Sequence, residues 1–400
     1  MSIFKQFNNF INNKYYWFVI LAGGYILRAV AGWYLQDHQL PDAIHQYMPI
    51  AESFAAGLGY PDSRPPGYII FLAPIVWLFS KININYIYPA ILAQSAVSIL
   101  MCYVLYKLTI SIFRQEFAGR IAAGIAVFYP WFIYYSTQLS IEHWFVFWVV
   151  LSIYYSVKFD QNRDYLSALK LGIALGFTLW IRTVFTPYII LAAALFLLRK
   201  IEWKKITVSI LIICCFIATW GTYNYYRNGE WSFTGGNADH NLYLGLNPLN
   251  KTGGATWGED APSLDEIAKI ISALPTDQQK SWYKDEVKKF VRENPQQVLI
   301  LAAQKMYIFW RPYPRAPEHT NPLTIAIIFF SFVPLVLGTL YTCWIFRQNK
   351  NAILLAYPLL YIAQLNAIHL VFAGSLVYRF PIEPLIICLA SYGISKLLPE

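Results

Sequence analysis

The chain has 400 residues, of which 57% are hydrophobic and 13% charged, against roughly 25% charged in soluble domains. A water-soluble globule of that composition would lack the polar surface to stay dispersed, so the composition excludes one and points to a chain embedded in lipid. The formal charge of +9 then reflects Lys and Arg retained in cytoplasmic loops, and nucleic acid is not implied as a partner.

The predicted elements follow as apolar segments at 15–35, 66–80, 86–106, 118–135, 140–157, 166–182, 184–198, 206–224, 297–311, 322–346, 352–373 and 381–397. Lipid offers no partner for a free backbone N–H or C=O, so each is expected as a continuous helix. The first follows Lys5 and Lys14 but contains Arg28 and lacks a small-residue cleavage site, and reads as an uncleaved span. Two polar stretches interrupt the series, 36–65 and 227–296. The expected organisation is an N-terminal transmembrane module over 1–226, an outer polar loop over 227–296, and a C-terminal transmembrane module over 297–400. The five cysteines, Cys102, Cys214, Cys215, Cys343 and Cys388, lie in apolar stretches without metal-type spacing and read as small buried hydrophobes.

Charge orients the chain. Clusters at Lys107/Arg114/Arg120, Lys158/Arg163/Lys170, Arg199/Lys200/Lys204/Lys205 and Arg347/Lys350 are expected in the cytoplasm, which puts both polar stretches on the outer side. The parity requires that 66–80 and 297–311, about 15 residues each against the roughly 20 that a span needs, be re-entrant or interfacial. Ten to twelve transmembrane or re-entrant helices are therefore expected. The same topology gathers Asp42, Arg64, Glu142, Arg182 and Arg379 in outer turns, where any chemistry belongs.

After the first span the chain reads Pro41-Asp42-Ala43-Ile44-His45-Gln46-Tyr47, Ala51, Gly57-Leu58-Gly59-Tyr60 and Arg64-Pro65-Pro66-Gly67-Tyr68. Further on come Ser140-Ile141-Glu142; Gly172, Gly176, Arg182 and Pro187; Tyr223 to Gly229; Asn241 to Pro248; and Tyr378-Arg379-Phe380-Pro381. In order and spacing, over roughly residues 15–390, this resembles the polyprenyl-phosphate-sugar transferases of the GT-C fold. That group includes the protein O-mannosyltransferases and the lipid A aminoarabinose transferase. The resemblance implies an all-α polytopic membrane enzyme with a large outer, periplasmic loop, and the compact size without a large lumenal domain makes a bacterial inner membrane the expected location. Its donor would be an undecaprenyl-phosphate sugar and its acceptor an outer-face lipid, glycan or protein. It also implies Asp42 and Glu142 as catalytic carboxylates, Arg64, Arg182 and Arg379 on the donor phosphate, and accessory roles for Tyr47, Asn241, Tyr243 and Asn247. This chain departs from the family pattern in two respects: Ala43 stands where a second acid is common, and the offset from Asp42 to Tyr47 is slightly longer.

The chemistry supports the same residues. Glycosyl transfer to a hydroxyl needs a base for the acceptor proton, and partial burial raises a carboxylate toward that use. The departing phosphate needs cations, and guanidinium matches its oxygens bidentately. No cofactor is required, and a divalent metal is not indicated: His45 lies three residues after Asp42, but no further ligands accompany the pair. Each residue also has a plainer reading. Asp42 would serve as a helix cap, Glu142 as a solvated first-turn charge, and Arg64 and Arg379 as headgroup anchors. Arg182 would end a helix whose glycines serve packing, Arg28 would form an internal salt bridge or a site, and Lys305 would snorkel or reach a phosphate. In the long loop, Trp231, Tyr243 and Trp257 suit sugar stacking, and 264–294 reads as amphipathic helix. Two other functions compete. A polymerase or ligase using a lipid-diphosphate glycan lacks the first-loop pattern, and a transporter or flippase would show inverted repeats and mid-membrane polar residues, which this chain does not.

Overall fold

The computed structural model describes residues 10–11, 13–62, 64–234, 238–254, 269–314, 321–347 and 352–398. Trp257, Leu264, Lys5 and Lys350 lie outside them. The described residues are almost wholly helical, as the all-α reading requires. In chain order the α-helices used below are α1 (Tyr16–Leu35), α2 (Met48–Ala55), α3 (Ile69–Lys81), α4 (Ile87–Phe113), α5 (Glu116–Phe128), α6 (Pro130–Ser136) and α7 (Ile141–Asn162). They continue as α8 (Tyr165–Leu179), α9 (Thr186–Leu198), α10 (Trp203–Asn228), α11 (Ala238–Gly245), α12 (Thr276–Glu293) and α13 (Pro295–Trp310), then α14 (Pro322–Phe346), α15 (Ala356–Val371), α16 (Leu376–Arg379) and α17 (Glu383–Leu397).

Among the described residues, six helical segments are long and apolar enough to cross a membrane: 16–35, 87–113, 203–228, 322–346, 353–371 and 376–397. A seventh arises if α5 and α6, bent by 54° at Pro130, form one broken span. The sequence reading of ten to twelve counted shorter segments as well. Helices α3, α8 and α13 have 13, 15 and 16 residues, too short to cross alone at 1.5 Å per residue. The chain is an integral membrane protein by these spans.

It divides into two compact units. One comprises Met1–Phe233, Val333–Leu360 and Pro381–Glu400, the other Thr234–Phe332 and Tyr361–Phe380. In the first unit, α4 packs on α5 and α7, and α17 lies against α5 with Leu385 to Ala390 buried. Small residues allow the approach: Ala118, Ala122 and Ala126 on α5 are fully buried, and a Cβ on Gly393 would lie 2.6 Å from the carbonyl oxygen of Gly338. The glycines of α8 serve packing too, since a Cβ at Gly176 would fall 2.3 Å from the Phe216 ring of α10. Arg28, buried in α1, makes no salt bridge among the described residues. Its guanidinium donates to the Ser98 hydroxyl at 2.8 Å and to the carbonyls of Val127 at 2.8 Å and Gly24 at 3.1 Å, tying α1 to α4 and α5.

In the second unit, α12 is the amphipathic helix expected in the long loop. Val287 and Phe290 pack with Tyr243, Leu246 and Leu301, while Lys284 and Lys288 face outward.

Candidate active site

The site is built where the turn after α1 meets the turn before α7. Two glutamines hold the two together, and a third fastens the turn before α7 to α4. Gln39 donates to the Thr137 carbonyl at 3.0 Å and accepts from the Leu139 N–H at 2.7 Å; Gln138 accepts from the Leu40 N–H at 2.9 Å. Buried Gln94 donates to the carbonyls of Tyr135, Ser136 and Gln138 and accepts from the Tyr68 hydroxyl. Amide side chains both donate and accept, so each one can satisfy backbone groups of a neighbouring turn without introducing charge.

This stitching sets Asp42 near Glu142. Asp42 has helical backbone angles, φ −63° and ψ −35°, and its side chain makes no capping hydrogen bond. The capping reading therefore fails. The next five residues, Ala43–Tyr47, form a π-helix closed by Met48 N–H to Ala43 C=O. A π turn takes one more residue than an α turn, so a residue five positions on returns to the same side. The longer Asp42-to-Tyr47 offset is thereby absorbed: Tyr47 lies within electrostatic reach of Asp42, Glu142, Arg182 and Arg64 and packs edge-on to Tyr68 with centroids 5.6 Å apart.

The Pro-Pro-Gly segment delivers the arginines. Gly67 donates its N–H to the Trp180 carbonyl at 2.7 Å and accepts from the Trp144 indole at 3.0 Å. A Cβ there would stand 2.7 Å from the Trp180 oxygen, so only glycine lets the segment press against the end of α8. Arg182 follows two residues after Trp180, and Arg64 precedes Gly67 by three. Arg182 forms an ion pair with Glu142. Glu142 itself is buried, not solvated, and its second oxygen has no hydrogen-bond partner among the described residues. Arg64 is half-buried and paired with Asp62, and its guanidinium also donates to Gln46.

Asp42 responds to all of this. The surrounding protein desolvates its carboxyl and raises its pKa, and the negative Glu142 raises it further; Arg182 and Arg64 oppose the rise. Beside these groups stands an aromatic wall. Trp220 and Tyr223 stack at 5.0 Å, and Tyr60 meets Trp220 edge-on at 5.2 Å.

The remaining sequence candidates are placed differently. His45 is exposed on the π turn, and no three His, Cys, Asp or Glu side chains gather in metal-ligand fashion among the described residues. Arg379, Lys305, Asn241, Tyr243 and Asn247 belong to the second unit. Arg379 is fully buried, donates to the carbonyls of Phe309 at 3.2 Å and Arg311 at 2.7 Å, and lies 3.7 Å over the Phe332 ring. It fastens the end of α13, and headgroup anchoring does not describe it. Lys305 is also fully buried and does not snorkel; its ammonium donates to the Val371 carbonyl at 2.6 Å, at the end of α15. Asn247 caps its own turn, donating to the Tyr243 carbonyl and accepting from the N–H groups of Leu249 and Asn250. Tyr243 packs on Trp282 and Tyr283, and Asn241 is exposed. Sequence reasoning missed Asp62, Gln46 and the three glutamines. Acid two residues ahead of an arginine is the one signal that was available, because a short acceptor at that offset bonds the following backbone N–H.

Residues 64–223 match the family described as dolichyl-phosphate-mannose-protein mannosyltransferase. No curated protein matches the chain. Among solved structures, the apo oligosaccharyltransferase of Archaeoglobus fulgidus aligns over 96% of this chain and 51% of its own, at 14% identity and a TM-score of 0.55. The oligosaccharyltransferase AglB of the same organism, in complex with an inhibitory peptide and a dolichol-phosphate, aligns over 99% and 51% at 14% identity and a TM-score of 0.54. The chain thus spans about half the length of these solved proteins. At that level of identity the likeness establishes the fold, which is of the GT-C type.

Proposed function

We propose that the chain is a membrane glycosyltransferase that moves a sugar from a polyprenyl-phosphate carrier to an acceptor hydroxyl on the outer face of the membrane. The observation that carries this reading is the uncapped Asp42 within electrostatic reach of two arginines that are each braced by another carboxylate. Asp42 takes the acceptor proton. The freed oxygen forms its bond to the anomeric carbon as the bond from that carbon to the phosphate oxygen breaks. Arg64 and Arg182 hold the phosphate that departs on its lipid. The already activated sugar phosphate needs no covalent enzyme intermediate, so a single inverting displacement suffices. The match to a family described by its dolichyl-phosphate-mannose donor supports a lipid-monophosphate donor, and the Lys and Arg clusters support a site on the outer side of the membrane.

A specific feature favours a lipid monophosphate over a diphosphate. Arg64 and Arg182 are both already matched by Asp62 and Glu142. The charges of these two arginines are thereby balanced by carboxylates, which favours a donor that brings a single phosphate group. Purified protein in lipid nanodiscs, given polyprenyl-phosphate sugars and their diphosphate counterparts, tests the reading. The expected result is transfer from the monophosphate series and little or none from the diphosphates. Transfer from diphosphates alone would replace the proposal with the polymerase or ligase alternative.

A further inference from the structure

We propose that Asp62, together with Gln46, is a positioning residue that fixes which N–H groups of Arg64 are offered to the donor phosphate. This rests on the transferase reading above and deepens it, giving a role to the side chains that hold Arg64. Asp62 acts twice on Arg64. Its Oδ1 accepts from the Arg64 backbone N–H at 2.9 Å, forming a two-residue turn, and its Oδ2 accepts from Nε at 2.6 Å and pairs with Nη2. Gln46 Oε1 accepts from Nη1. Three of the five guanidinium N–H groups are thereby engaged, and among the described residues one remains on each terminal nitrogen.

The two braces come from different places in the chain. Asp62 lies on the loop ahead of Pro65, and its backbone carbonyl accepts from Arg227 at the end of α10 at 3.5 Å. Gln46 lies on the π turn that begins beside Asp42. Gln46 therefore links the turn carrying the base to the arginine that holds the leaving group, setting the distance between the two ends of the reaction. An arginine meant only to add charge needs no carboxylate at its side, because that pairing cancels the charge. A carboxylate in this position makes sense where orientation decides the outcome, since a guanidinium bonds phosphate well in only a few geometries.

The two possibilities differ in sign, which makes the proposal testable on the full chain in nanodiscs with polyprenyl phosphate as the probe. Asp62→Asn retains an oxygen for the backbone turn and removes the ion pair. If Asp62 positions Arg64, this variant should bind polyprenyl phosphate about tenfold more weakly, the scale of one charged hydrogen bond, with an unchanged Tm. Asp62→Glu should recover part of the loss. In an Arg64→Ala background Asp62→Asn should cost nothing further, because the group that it positions is gone. Tighter binding by Asp62→Asn, unchanged binding, or an equal loss with and without Arg64 would overturn the proposal. Gln46→Met, which removes the brace from the other nitrogen, should show the same dependence on Arg64 and serves if Asp62→Asn does not fold. If Arg64→Ala weakens binding while the Asp62 and Gln46 variants do not, the inference fails and the transferase reading stands. If Arg64→Ala itself has no effect, the role given to Arg64 in that reading fails as well.

Discussion

Asp42 and its neighbours make a signed prediction about pH. A base must be unprotonated to work, so activity should rise with pH through the raised pKa of Asp42. The negative Glu142 contributes to that rise and Arg182 opposes it. Glu142→Gln removes the first and frees the second, so the acidic limb of the rate profile should move to lower pH; a shift to higher pH would contradict the electrostatic account. Arg64 makes a prediction of magnitude. Arg64→Ala should weaken polyprenyl-phosphate binding by about ten- to hundredfold, as expected for charged hydrogen bonds. Arg64→Lys should restore only part, since it keeps the charge without the fork. Unaltered affinity in Arg64→Ala would remove it from the donor site. At this scale the sequence disclosed the residues whose type announces chemistry. It did not disclose Gln39, Gln94 and Gln138, because a neutral amide is equally at home on a surface, and only the fold shows that these three bond backbone groups roughly 40 to 100 positions away.

The elements explain why the motif has its form. Asp42 could be read as a cap from its place before a helix, and its own helical backbone angles go with the absence of a capping hydrogen bond. The π turn that follows carries no distinct sequence signature; the slightly long spacing to Tyr47 was its trace. The Pro-Pro-Gly segment is better explained by packing than by any contact with substrate. A Cβ at Gly67 would stand 2.7 Å from the Trp180 carbonyl oxygen, so Gly67→Ala must push the segment away from the end of α8 and separate Arg64 from Arg182. Overpacking of this kind typically costs about 1–3 kcal/mol, and we expect a lowered Tm together with weakened donor binding. Full stability and affinity in Gly67→Ala would show that the close approach is dispensable. Arg379 illustrates the limit of reading elements from sequence. Its place in an outer turn suggested a phosphate ligand, whereas its neighbours in space are carbonyls at the end of α13, which lie about 70 residues earlier in the chain.

At the scale of the whole molecule, composition announced a helical membrane protein, and the family resemblance anticipated the GT-C type. The number of crossings was less legible, because an apolar run of 13 to 16 residues is equally a short buried helix or part of a span, and periodicity does not separate the two. Orientation rests on the Lys and Arg bias alone. Single cysteines at Glu230 and Lys200, in a background without native cysteine, should differ in labelling by an impermeant thiol reagent, with Glu230 reacting from outside; equal labelling would dismantle the outer-face site. The central claim is that Asp42 removes the acceptor proton. The most direct measurement is sugar transfer by Asp42→Asn, made beside polyprenyl-phosphate binding and Tm. Asn keeps the size and hydrogen-bonding reach of Asp but cannot act as the base. The account predicts a rate lower by about 10²–10⁴, with binding and Tm close to wild type. Turnover within about threefold of wild type, far short of the loss of a positioned base, would contradict it.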